Sequence, residues 1–155
     1  MADIHLRSAS VEDAALLART LRPADRDEVI ATVGPDGIER AIVRSILLST
    51  DAKAAEADGE LVALLGVAPI SLLGGIGAPW FLGTPRVDRL PGALTRGARR
   101  YLAEIMAADY PVLRNHVDAR NVRSVRWLQR LGFTIHPAEP FGVAGLPFHL
   151  FEMRV

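Results

Sequence analysis

Residues 117–136 read VDARNVRSVRWLQRLGFTIH. The segment opens on the end of an alternating run, VLRNHVD, which has the period of a strand. Asn121 is placed to cap a helix over VRSVRWLQRL, and Gly132 to end it as a left-handed residue. Phe133 then starts another apolar run, FTIHP. Val122, Val125, Leu128 and Leu131 recur every third residue and are expected to hold the helix to a sheet. Arg120, Arg123 and Arg126 gather at the helix start, where free N–H groups and the helix dipole favour an anion. Arg130, at the far end, is expected to be solvated. The unit is strand, helix, strand, with a parallel crossover implied just before it.

Upstream, Ile4 to Arg7 alternates as a first strand. Ser10 with Asp13 three residues on is an N-terminal capping pattern. Pro23 can open a second helix, ADRDEVIATV, closed by Gly34. Asp36 is expected to cap a third, GIERAIVRSILL. Asp58-Gly59 between DAKAAEA and ELVALLGVAPI predicts a tight hairpin, because both turn residues need positive φ. The stretch from Leu61 to Pro85 has no charged residue. It is long enough to span a bilayer, but Gly66, Pro69, Gly74, Gly75, Gly77, Pro79 and Gly83 break it. Two buried strands around GGIG, the second being APWFLGT, are expected instead. A loop, PRVDRLPG, leads to a long helix, ALTRGARRYLAEIMAA, stopped before Tyr110-Pro111. LPFHLFEMRV is the last strand.

The 155 residues are expected to form one domain, 1–155, half of them hydrophobic and 23% charged. No cysteine is present, which excludes thiol chemistry, disulfides and cysteine metal sites. The first residues lack the pattern of a signal peptide, and the expected location is the cytoplasm. His5, His116, His136 and His149 show no metal-ligand spacing, so no metal is expected. Neither GxSxG nor a P-loop motif occurs. Net charge is zero, but residues 86–130 hold ten arginines against four acids, while residues 1–85 carry a net −5. Few aromatics lie among those arginines and no nucleic-acid motif is seen, so a nucleic-acid partner is not expected. A compact polyanion, such as a nucleotide-like cofactor with several phosphates, fits the pattern better. Solvation of two amphipathic helices is the alternative on charge alone.

Over almost its whole length the order of elements resembles the GNAT superfamily of N-acetyltransferases, which use acetyl-CoA. The segment VDARNVRSVRWLQRLGFTIH is similar to that superfamily's strand-to-helix unit with its Leu-Gly-Phe ending. The resemblance implies an α/β (α+β) fold: a mixed, mostly antiparallel sheet flanked by helices, with the fourth and fifth strands parallel. It implies acetyl-CoA as cofactor. Asn121 would contact its pantetheine arm or cap the helix, and Ser124 would lie near the thiol. Leu82, Gly83 and Thr84 on the fourth strand would offer backbone groups, with an N–H at Leu82 or Gly83 polarising the thioester carbonyl. Arg96, Gly97, Ala98 and Arg99 resemble part of the pyrophosphate loop. AxPWFLGT, YPxLxNxVDARN and PFG…GxPF also resemble a phage-encoded group related to a podovirus internal virion or morphogenesis protein.

The chain departs from the superfamily where chemistry is done. Leu128 stands where a tyrosine acid is common, and APWFLGT lacks the glutamate often found on the fourth strand. His116 and Asp118 are left as candidate bases through water, with Tyr101 and Tyr110 as acids only if the fold brings them in. Two functions remain open. One is acetyl transfer to an amine of a small molecule or protein. The other is a catalytically degenerate phage protein acting in virion assembly or on a host protein, in the host cytoplasm or the virion. The apolar end, PFGVAGLPFHLF, offers a homodimer surface.

Overall fold

The structure is a computed structural model, which describes residues 3–155. The strands are β1 (His5–Ser8), β2 (Lys53–Ala57), β3 (Glu60–Ser71), β4 (Ile76–Gly83), β5 (Val112–Asp118), β6 (Thr134–Phe141) and β7 (Leu146–Arg154). The helices are α1 (Val11–Thr20), α2 (Pro23–Val33), α3 (Ile38–Leu48), α4 (Pro91–Ala108) and α5 (Val122–Leu131). The seven strands form one sheet in the order β1-β2-β3-β4-β5-β7-β6. Every pairing is antiparallel except β4 with β5. The mixed, mostly antiparallel sheet expected from the sequence is therefore the observed one.

Local chemistry accounts for most boundaries. The backbone N–H of Ser10 donates to Asp13 at 2.8 Å, closing the capping box of α1. Asp58 and Gly59 take φ of 52° and 78° in the β2–β3 turn. The Asn121 side chain accepts from the N–H of Ser124 at 3.3 Å, and Gly132 ends α5 at φ 106°. Two expectations shift. Asp36 lies inside a 3-10 turn, Pro35–Gly37, and α3 starts after Gly37 without a side-chain cap. The long helix begins at Pro91 rather than Ala93, since proline's fixed φ and missing N–H suit the first helical position.

One core, on the face of α1, α2 and α3, joins Leu17, Val29, Ile42 and Ile46 to Leu64 and Leu82. The other, on the face of α4 and α5, joins Leu102, Ile105 and Met106 to Val67, Leu113, Val117, Phe133 and Phe151. Val125, Leu128 and Leu131 pack on this second core as expected, but Val122 is exposed. Steps of three residues drift by about 60° each around a helix, so a run that long leaves the buried face.

The parallel pairing of β4 and β5 covers only Ile76 with Val112 and Gly77 with Leu113. Beyond it the strands diverge. A methyl group on Gly77 would meet Val67 Cγ1 at 2.5 Å and Tyr110 Cγ at 2.8 Å. Tyr110 is fully buried and shares a 2.5 Å hydrogen bond with Thr50, so it has nowhere to go. Gly77→Ala is expected to cost about 1–3 kcal/mol, read as a lower midpoint in urea.

Candidate functional site

The fork between β4 and β5 follows from Pro79. Thr84 donates to Val62 on β3, so the alternation of an antiparallel ladder turns Leu82 toward β3 and turns Pro79, Phe81 and Gly83 toward β5. Pro79 has no N–H to give there. Its carbonyl instead accepts from Asn115 Nδ2 at 2.8 Å, a side chain in place of a ladder bond. Further along, α2 closes the fork. The N–H of Gly83 donates to Asp25 Oδ2 at 2.8 Å, and its carbonyl accepts from the N–H of Arg22 at 2.9 Å. On the other prong the N–H of Asp118 donates to Glu28 Oε1 at 2.8 Å. On β4, the backbone of Phe81 faces the opening.

A cavity of about 570 Å³ passes through this fork. On the α1–α3 face it is lined by Glu28, Thr32, Arg40, Arg44, Trp80 and His116, and on the other face by Tyr101, Leu102, Trp127, Leu128 and Phe133. A second cavity of about 510 Å³ lies between the start of α4 and α5. The two share Phe81, Ser124 and Trp127. The second is strongly positive: it holds Arg22, Arg123, Arg126 and Arg130 against one acid, Asp88. Asp88 pairs with Arg22 at 3.0 Å and Arg123 at 3.1 Å, which leaves Arg126 and Arg130 without an ion pair among the described residues.

Between the cavities sits a buried polar cluster. Asp25, 1% exposed, takes Arg22 Nε at 2.8 Å on one oxygen, together with Gly83, and Asn121 Nδ2 at 3.2 Å on the other. Arg22 also donates to Ser124 Oγ at 3.1 Å and lies over the Phe81 ring. The Ser124 hydroxyl proton is thereby left to donate elsewhere.

Three groups on the α1–α3 side titrate differently. Burial pushes Glu28 up to about 7, with the charges of Asp25 and Asp118 adding to it and the hydrogen bond from the N–H of Asp118 opposing. Glu28 is half-buried and lines the large cavity, with Oε1 accepting from the N–H of Asp118. Burial lowers His116, which stacks on Phe141 at 3.9 Å. Burial would raise Asp118, but the Arg120 guanidinium at 2.7 Å and the Arg120 N–H outweigh it and hold the carboxyl below the usual range.

The structure sorts the residues singled out from the sequence. His116 lines the large cavity, whereas Asp118 lies outside its lining and is locked to Arg120. Ser124 lines both cavities. Asn121 is 4% exposed and bonds Asp25, so it caps and braces the site. The Leu82 N–H belongs to the β3 ladder, the Gly83 N–H is taken by Asp25, and that of Thr84 by Val62; none of the three is open to a thioester carbonyl, a correction to the expected use of Leu82 or Gly83. Arg96, Gly97 and Ala98 lie in the second turn of α4, where helical bonds occupy their N–H groups. The free N–H groups at that helix start belong to Gly92 and Ala93, and the Arg96 side chain folds back over Gly92. Arg99 donates to the carbonyl of Arg130 at 3.0 Å. Tyr101 donates to the carbonyl of Asp51 at 2.8 Å, and burial raises it far above the ordinary range, so neither tyrosine is free to act as an acid.

Similarity to solved structures is extensive. A spermidine N-acetyltransferase from Vibrio cholerae, in complex with CoA and spermine, superposes with a TM-score of 0.71 at 16% identity, over 98% of this chain and 95% of that one. An acetyltransferase of the GNAT family from Streptococcus pneumoniae gives 0.66 at 17% identity, over 99% and 100%. RimL, a ribosomal α-N-protein acetyltransferase in complex with coenzyme A, gives 0.74 at 12%, over 99% and 94%. The chain has the GNAT acyltransferase fold. No protein-family model and no curated protein matches the sequence. None of the GNAT-fold structures named here is a phage or virion protein. Among the described residues no group of His, Asp and Glu could hold a metal ion, and no helix is long and apolar enough to cross a membrane.

Residues 22, 25 and 28 were not singled out by the sequence pattern. A signal was present: Asp25, Val29 and Thr32 share one stripe of α2 at i, i+4 and i+7, which puts an acid on the face that Val29 buries.

Proposed function

We propose that the chain is an acetyl-CoA-dependent N-acetyltransferase. The observation that carries this is the fork between β4 and β5, which opens a passage through the sheet with a positive cavity on one face and a carboxyl group near neutral pKa on the other. Arg126 and Arg130, with the N–H groups of Gly92 and Ala93, are suited to the cofactor's phosphates. The Phe81 backbone and the Trp127 ring are suited to its amide-bearing arm. The bound cofactor supplies an activated acetyl group on a thiol leaving group.

The residues of this chain then divide the remaining work. Glu28, whose carboxyl group is pushed up to about 7 by burial, takes the proton that the acceptor amine loses as its nitrogen bonds to the carbonyl carbon. His116, neutral at that pH, lines the same lobe and can relay the proton. The N–H of Phe81 polarises the carbonyl oxygen. The Ser124 hydroxyl, oriented by Arg22, would be the group to donate a hydrogen bond to the thiol leaving group. This arrangement replaces the missing tyrosine by a serine with an arginine behind it, and the missing strand-four glutamate by Glu28 on α2.

Calorimetry with acetyl-CoA tests the assignment. The Arg126→Gln/Arg130→Gln double variant is expected to weaken binding about tenfold or more. No heat and no thermal shift at millimolar cofactor would sink it. Ser124→Ala is expected to lower kcat with little change in cofactor affinity. Cofactor binding without turnover on any amine, together with co-purifying proteins, would favour an assembly role instead.

A further inference from the structure

The acceptor lobe has an unusual charge pattern. Its wall from α3 carries Arg40 and Arg44, one turn apart on the same face. Both are exposed at the cavity mouth, and neither makes an ion pair among the described residues. Like charges at this spacing destabilise a helix. Among the described residues Glu28 is the sole carboxylate that lines this cavity, and it stands on α2 beside the fork. Trp80, Phe141 and His116 line the same cavity and give it an aromatic wall, with His116 stacked on Phe141. The lobe is thus polarised, with a proton acceptor and ring faces at the fork and two guanidiniums at the mouth. Ring faces and a carboxylate attract an ammonium. A guanidinium fork matches a carboxylate or a phosphate.

Building on the acetyltransferase assignment, we propose that the acceptor is a compact primary amine that carries an anionic group, a carboxylate or phosphate, with its nitrogen toward Glu28 and its anion held by Arg40 and Arg44. Such a molecule complements both ends of the lobe. A linear polyamine would place a second cation against two arginines and is disfavoured.

Matched amines separate these cases. Phenylalanine and phenethylamine differ by one carboxylate, and O-phosphoethanolamine and ethanolamine by one phosphate. Each is titrated into the full chain by calorimetry, with and without acetyl-CoA, beside putrescine as a diamine. At least one anionic member is expected to bind at least tenfold more tightly than its neutral partner. That ratio is expected to collapse toward one in the Arg40→Gln/Arg44→Gln double variant, whose acetyl-CoA heat shows that it is folded. The pair that shows the ratio identifies carboxylate or phosphate. The proposal is overturned if putrescine or the neutral amines bind as tightly as the anionic ones. It is equally overturned if the double variant keeps the preference, or if neither anionic amine binds at millimolar concentration. Failure of the cofactor assignment is read separately, as absence of acetyl-CoA heat while the ratio between amines stands.

Discussion

Replacing Glu28 by glutamine lowers kcat by about 10²–10⁴-fold, the range for loss of a general base, and removes the alkaline-rising limb of the pH–rate profile. In the wild type that limb is expected near 7, because the carboxyl group is pushed up to about 7 and must be ionised to accept a proton. The variant keeps an oxygen for the N–H of Asp118, so the fork stays closed at that point. Stability moves the other way. A carboxyl group whose folded pKa lies above its ordinary 4.5 binds its proton more tightly in the folded chain. Its stabilising contribution is complete below about pH 4.5 and is lost as pH rises through about 7. Glutamine, always neutral, is therefore expected to raise stability by ~3 kcal/mol above pH 8 and to leave it little changed at pH 4. Thermal melts at the two pH values, beside kcat–pH profiles, check both halves. A stabilised enzyme that has lost its rate marks a site residue. A destabilised one, or an unchanged pH limb, would return Glu28 to a packing role.

Asp25→Ala is expected to be the most damaging single change to folding. It strips partners from the N–H of Gly83, from Asn121 Nδ2 and from Arg22 Nε at once. Arg22 is 7% exposed, so its charge is left buried with only Asp88 as counter-ion. Removing one member of such a pair typically costs about 3–5 kcal/mol. For a chain of this size that lowers the melting temperature by roughly 10 °C. Asp25→Asn keeps one acceptor oxygen, sets an NH2 against a donor at the other position and loses the charge, and is expected to fall between the wild type and Asp25→Ala. A loss under 1 kcal/mol for Asp25→Ala by chemical denaturation would show that water reaches the cluster freely.

The folding units were legible where the physics is local. Asp58-Gly59, the Asn121 cap and the Gly132 stop each depend on a few neighbouring residues, and each is where the sequence puts it. The mixed sheet with a parallel pair could be read from the order of elements. The site was legible only in part. His116 and Ser124 reach the cavity because their own strand and helix carry them there. Arg22, Asp25 and Glu28 act on residues 83, 88, 118, 121 and 124, far along the chain, and their partners exist only after the sheet forks. Arg96, Gly97 and Ala98 resemble part of a pyrophosphate loop, but they lie inside α4, which Pro91 opens two residues before the expected Ala93.

Pro79 and the three residues of α2 have one further consequence. A forked sheet owns two edges in its interior, and unpaired strand edges recruit foreign strands. Here the fork is not left sticky. Proline presents no donor, Asn115 occupies its carbonyl, and Arg22, Asp25 and Glu28 occupy Gly83 and Asp118. The same contacts that frame the passage also cover these strand edges, and so disfavour the pairing of a foreign strand there.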